Sequence, residues 1–159
     1  IDKHNLYGKV AYPKKHSPAN IPSLYRWAAS SGGIFVNPAL TEPFGLTLLE
    51  ASSCGLPIIA TDDGGPKEIH AKCENGLLVD VTDINQLKIA LEKGISNSSQ
   101  WKLWSRNGIE GVHRHFSWNT HVRNYLSILQ GHYQKSTIFS SSGIKESCLK
   151  GSSSLIKPH

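Results

Sequence analysis

A chain of 159 residues with 38% apolar content can bury one core, so a single domain is the expectation. Its formal charge of +5 is spread among acids, histidines and aromatics, not gathered into a block, which weighs against a nucleic-acid partner. No apolar run approaches the roughly 20 residues that a membrane span needs, and no basic leader precedes an apolar core, which predicts a soluble, unsecreted, cytoplasmic protein.

The chain opens on Ile1 and runs at once into a strand-like segment, Leu6 to Pro13, which points to a piece of a larger protein. A loop with Lys14, Lys15 and His16 follows; it reads as solvated, with a phosphate contact as the sharper alternative. Ile21, Leu24, Tyr25 and Ala28 fall at steps of three and four, the period of a one-faced helix, which Gly32-Gly33 ends. Ile34-Phe35-Val36 is a continuous apolar run of the kind buried on both faces of a parallel sheet, closed by Asn37-Pro38. A second helix is expected from about Phe44 to Ser53, with Cys54-Gly55 as its stop signal.

Leu56 to Thr61 repeats the buried-strand pattern and leads through Asp62-Asp63-Gly64-Gly65 to a short helix, Pro66 to about Ala71. Leu77-Leu78-Val79 is a fourth strand after the Asn75-Gly76 turn. Asp83 caps a helix whose stripe is Leu87, Ala90 and Leu91. Two more helices are expected, Gln100 to Val112 and Asn119 to about Tyr133. Beyond them, residues 135–159 are rich in Ser, Gly and Lys and read as a linker or disordered tail to a domain of residues 1–134. Strands alternating with helices predict an α/β fold, a Rossmann-like doubly wound parallel sheet.

Ligands of such sheets bind beyond the carboxyl ends of the strands, where loops enter helix N-termini. The loop after Val36 passes through Glu42-Pro43-Phe44-Gly45 into the second helix, whose positive end attracts an anion such as a diphosphate. Glu42 and Glu50 stand eight residues apart, on the order of 12 Å along a helix axis, too far to share a proton transfer. They can bracket an elongated ligand: sugar hydroxyls at Glu42, pyrophosphate at Phe44, Gly45, Leu46 and Thr47, ribose at Glu50. The plainer reading makes Glu42 a helix-start carboxylate and Glu50 a solvated helix residue. Gly64-Gly65 is either a phosphate nest or an ordinary turn, and the turn is favoured.

Three cysteines without C-x-x-C or His-x-x-x-His spacing, Cys54, Cys73 and Cys148, are expected to be reduced, mainly buried and not metal ligands. His113 and His115 are expected at the surface near a helix end. Trp101, Trp104 and Trp118 are expected to form a packing seam between the last helices.

Glu42-x7-Glu50 with Pro43-Phe44-Gly45, then Ala51, Gly55-Leu56-Pro57, Thr61 and Gly64-Gly65-Pro66, resembles the retaining GT-B glycosyltransferases that include sucrose and glycogen synthases. A longer set narrows the resemblance: Gly8 to His16, Ile21-Pro22, Leu24-Tyr25-Arg26, Phe35 to Leu40, Asn75 to Asp80 and Phe116-Ser117-Trp118. Together these are similar to the sucrose-phosphate synthase branch of that family, in its bacterial or cyanobacterial form and not its plant form. The resemblance covers about residues 5–130.

It implies the C-terminal donor-binding half of a transferase that takes glucose from UDP-glucose to fructose 6-phosphate and gives sucrose 6-phosphate with retained configuration. It places Glu50 on the ribose, Glu42 beside the donor sugar, the Phe44 to Thr47 amides on sugar and phosphate, and Val10 near the uracil. It implies no metal or other cofactor. The basic pair that this family sets on the diphosphate, and the N-terminal domain that binds the acceptor, lie outside the chain, so the chain alone is expected to be inactive; a phosphatase-like domain can follow in such enzymes. Two alternatives remain: a related transferase such as sucrose synthase, using unphosphorylated fructose, or a non-catalytic nucleotide-sugar-binding module.

Overall fold

The computed structural model describes residues 1–11 and 17–141; Lys14, Lys15, His16 and Cys148 lie outside the described residues. Two compact units follow one another, Ile1–Ser117 and a second that begins at Trp118. The first contains α1 (Ile21–Ser30), β1 (Phe35–Asn37), α2 (Leu46–Ser53), β2 (Ile58–Thr61), α3 (Gly65–Cys73), β3 (Gly76–Val79), α4 (Ile84–Ser96) and α5 (Ser98–Phe116). The second contains α6 (Trp118–Ser141).

The three strands lie in the order β1-β2-β3, all parallel, with Phe35 opposite Ile58 and Ile58 opposite Gly76. Alternation along each strand sends successive side chains to opposite faces. On one face Ile58 and Ala60 pack with Leu48 of α2 and Ile69 and Cys73 of α3, joined by Phe35, Leu78 and, from α5, Val112 and Phe116. On the other, Ile59 and Val79 pack with Ala90 of α4, joined by Val36, Leu77, Leu87 and Leu91. Helices therefore cover both faces, and the expected doubly wound α/β architecture is the one observed. The central strand is buried along its whole length, whereas β1, at an edge, is half-buried.

Differences from the sequence expectation have local causes. Leu6 to Val10 is turn and not strand: Lys9 N–H donates to the Leu6 carbonyl at 3.0 Å, and Gly8 sits at φ +71°, a left-handed geometry that ends extension. For the same reason α2 begins at Leu46 and not at Phe44, since Gly45 at φ +78° cannot belong to the helix. Asp83 caps α4 as expected, its Oδ1 accepting from the Asn85 and Gln86 amides. Asn97 does the same for Gln100 and starts α5 at Ser98, ahead of the expected Gln100. The last helix continues to Ser141, into the segment expected to be linker.

Of the expected tryptophan seam, Trp104 is buried and Trp101 donates from Nε1 to the Gly33 carbonyl at 2.9 Å. Trp118 is 80% exposed, which removes it from a packing role, and its ring meets His121 edge-on.

Candidate functional site

Two loops leave the carboxyl ends of β1 and β2 and are bound to one another. The Gly65 amide donates to the Glu42 carbonyl at 2.7 Å, and Glu42 and Gly64 form an isolated parallel bridge. Thr41 Oγ1 donates to Asp63 Oδ2 at 3.0 Å, and Thr61 Oγ1 reaches the Leu40 carbonyl at 3.4 Å. The approach depends on the glycine: Gly64 has φ +82°, and a Cβ there would lie 2.3 Å from the Glu42 oxygen. The Gly65 amide is therefore committed to docking one loop on the other and is not available to a phosphate nest.

The Glu42 carboxylate folds back on its own loop. Oε1 accepts from the Gly45 amide at 2.9 Å and the Phe44 amide at 3.3 Å, while Oε2 accepts from Asn37 Nδ2 at 3.1 Å. The Gly45 amide, then Asn37, then the Phe44 amide hold this carboxyl below the usual range, as hydrogen bonds to the charged form do. Two of the four amides expected to meet a ligand, those of Phe44 and Gly45, are thus engaged by Glu42. Those of Leu46 and Thr47 sit in the first turn of α2, where no side chain caps the helix; a helix leaves such first-turn amides without an intrahelical partner. The Phe44 and Leu46 side chains stand exposed around this helix start.

Glu50 lies one turn further along α2, exposed on the wall of an open cavity of about 510 Å³. Facing it are Pro18, Ile21, Pro22 and Tyr25, with Ser53 and Cys54 on its own side. Burial first, then the negative charge of Glu50 and then Cys54, push the Tyr25 hydroxyl above its usual value. The groove thus combines a carboxylate able to accept from hydroxyls with a largely apolar opposite wall, and the helix start lies up the same helix. Val10, exposed in the N-terminal turn, is not among the residues lining this groove.

Sequence reasoning overlooked Asn37 as a partner of Glu42 and Tyr25 as a partner of Glu50. Asn37 is legible as a strand stop and Tyr25 as part of an apolar stripe, and both fall in segments that carry the resemblance, but none of these signals gives either residue a role at the site. His113 and His115 are exposed on the last turn of α5, as expected. Cys54 and Cys73 are free thiols; burial pushes Cys73 up to about 11, while Cys54 is only half-buried at the groove.

A family model for the group 1 glycosyl transferases matches residues 1–111. The chain is 52% identical over 127 residues to sucrose-phosphate synthase 4 of Arabidopsis thaliana, covering 80% of this chain and 12% of that protein. It is 50% identical over 131 residues to the sucrose-phosphate synthase of Zea mays, covering 82% of this chain and 12% of that one. In structure it is similar to the sucrose-phosphate synthase of Thermosynechococcus elongatus, with a TM-score of 0.69 and 28% identity over 84% of this chain and 33% of that chain. It is also similar to the C-terminal domain of a group 1 glycosyl transferase from Francisella tularensis, with a TM-score of 0.57 and 28% identity, covering 74% and 63%. The chain therefore spans about 12% of the length of the curated relatives it matches. Plant relatives at 50 and 52% against a cyanobacterial one at 28% overturn the expectation of a bacterial or cyanobacterial form.

Proposed function

Because the chain belongs to the group 1 glycosyl transferases, we propose that it is the donor-binding part of an enzyme that moves glucose from UDP-glucose to fructose 6-phosphate. The product is sucrose 6-phosphate, with the configuration at the glucose carbon retained. The observation that carries this reading is that one helix, α2, carries both an uncapped N-terminus and, one turn further on, the groove carboxylate Glu50. An elongated ligand with a negative centre and a hydroxyl-bearing end matches that pair.

In this reading Glu50 accepts hydrogen bonds from the ribose hydroxyls, with Tyr25 and the prolines forming the wall beside them. The Leu46 and Thr47 amides face the diphosphate. Glu42 stands beside the donor sugar while its carboxylate holds the Phe44–Gly45 turn in place. The charge on the leaving diphosphate is met by the helix dipole and by basic side chains of the rest of the enzyme, with no metal ion assigned. The acceptor belongs to the N-terminal domain of the complete transferase, and a phosphatase-like domain is a candidate continuation. The free thiols Cys54 and Cys73 suit a cytoplasmic enzyme.

Calorimetry with UDP on the protein carrying both transferase domains tests the ribose role. Glu50→Ala is expected to weaken UDP about tenfold or more, the worth of hydrogen bonds to a charged group. Unchanged affinity removes Glu50 from the site.

A further inference from the structure

The residue that organises the donor loop is one to which the sequence motifs assign no role. Asn37, the last residue of β1, is half-buried, and its carboxamide is used at both ends. Oδ1 accepts from the Ala39 amide at 3.1 Å, across Pro38, and Nδ2 donates to Glu42 Oε2 at 3.1 Å. The partners fix this orientation: a backbone N–H can only donate and an ionised carboxylate can only accept. Glu42 then passes the constraint on, through Oε1 to the Phe44 and Gly45 amides and through its backbone carbonyl to Gly65. A continuous run of hydrogen bonds thus leads from the end of the sheet to the residue preceding α2.

We propose that Asn37 is the positioning residue of the donor site, holding the Glu42 carboxylate so that the Phe44–Gly45 turn and the first amides of α2 face the donor. The chemistry restricts the position. A side chain here needs one acceptor and one donor at that reach: aspartate sets a second carboxylate against Glu42, and serine is too short to span both partners. The inference rests on the donor-site reading above, and its test separates the two.

The complete enzyme is used throughout, with thermal melting to establish that each variant is folded. Donor KM and kcat are measured for wild type, Asn37→Ala, Glu42→Gln and the double variant. Asn37→Ala is expected to raise the donor KM about tenfold, as loss of a hydrogen bond to a charged group does. The double variant is expected to be no worse than Glu42→Gln, because Asn37 acts through that carboxylate. Effects that multiply, or a donor KM within twofold of wild type, overturn the proposal.

Asn37→Asp keeps the shape and provides a second readout, decisive if the alanine variant does not fold. Its donor KM is expected to be raised at neutral pH and to recover as pH falls and one of the two facing carboxyls takes a proton. Asp62 and Asp63 on the facing loop are the other acids there and are present in wild type, so the difference between the two profiles reports on the 37–42 pair. Parallel profiles overturn the proposal. A wild-type enzyme that does not use UDP-glucose overturns the donor reading itself, and Asn37's role with it, a result told apart because it appears without any substitution.

Discussion

At the scale of single residues, Glu42 carries the clearest electrostatic signature. Its carboxyl is held below the ordinary range by the Gly45 amide, Asn37 and the Phe44 amide. A carboxyl whose folded value lies below its unfolded one stabilises the fold fully above the unfolded value, about 4.3 for glutamate, and that contribution is lost as pH falls through the folded value. Urea midpoints of wild type are therefore expected to fall as pH drops below about 4.3, and Glu42→Gln to fall less steeply. Asp80, lowered by the Thr82 hydroxyl and amide, leaves a residual slope in both proteins. Identical slopes would show that the Glu42 carboxylate does not brace the loop.

At the scale of elements, the approach of α5 to α2 and α3 is set by its glycines. A Cβ at Gly111 would lie 2.7 Å from Cys73 Sγ and 2.9 Å from the Cys73 Cα, and one at Gly108 would lie 3.3 Å from the Ser52 carbonyl oxygen. Gly111→Ala gains up to about 1 kcal/mol of helix propensity but overpacks a close contact, which costs about 1–3 kcal/mol. The expected outcome is net destabilisation, read as a lower urea midpoint at unchanged slope; a higher midpoint would mean that α3 and α5 separate freely. Elements of this kind were legible in the sequence wherever a period or a cap encoded them. Ile58-Ile59-Ala60 announced a strand buried on both faces, and Asp83 announced the start of α4. The turn at Leu6 to Val10 was not legible, because apolar and aromatic residues around Gly8 look strand-like until the glycine's φ is known. The start of α2 was misplaced by two residues for the same reason at Gly45. The candidate site divided likewise: Glu42, Glu50 and the helix start were marked by spacing, whereas the bonds of Asn37 to Glu42 and the closeness of Tyr25 to Glu50 depend on tertiary placement.

At the scale of the whole molecule, the proposed function gives the described residues a donor-side role and leaves the acceptor to other parts of the enzyme. Three parallel strands, helices on both faces and two cross-bonded loops at one sheet end surround α2. In the proposed function this arrangement serves glucose transfer to a sugar phosphate. The most direct measurement is UDP release by the complete enzyme from UDP-glucose, with fructose 6-phosphate and with fructose as parallel acceptors. The expected result is release that depends on fructose 6-phosphate, a product that yields sucrose after phosphatase treatment, and little turnover with fructose. Equal or preferred use of fructose, or no transfer with either acceptor despite UDP binding, would contradict it.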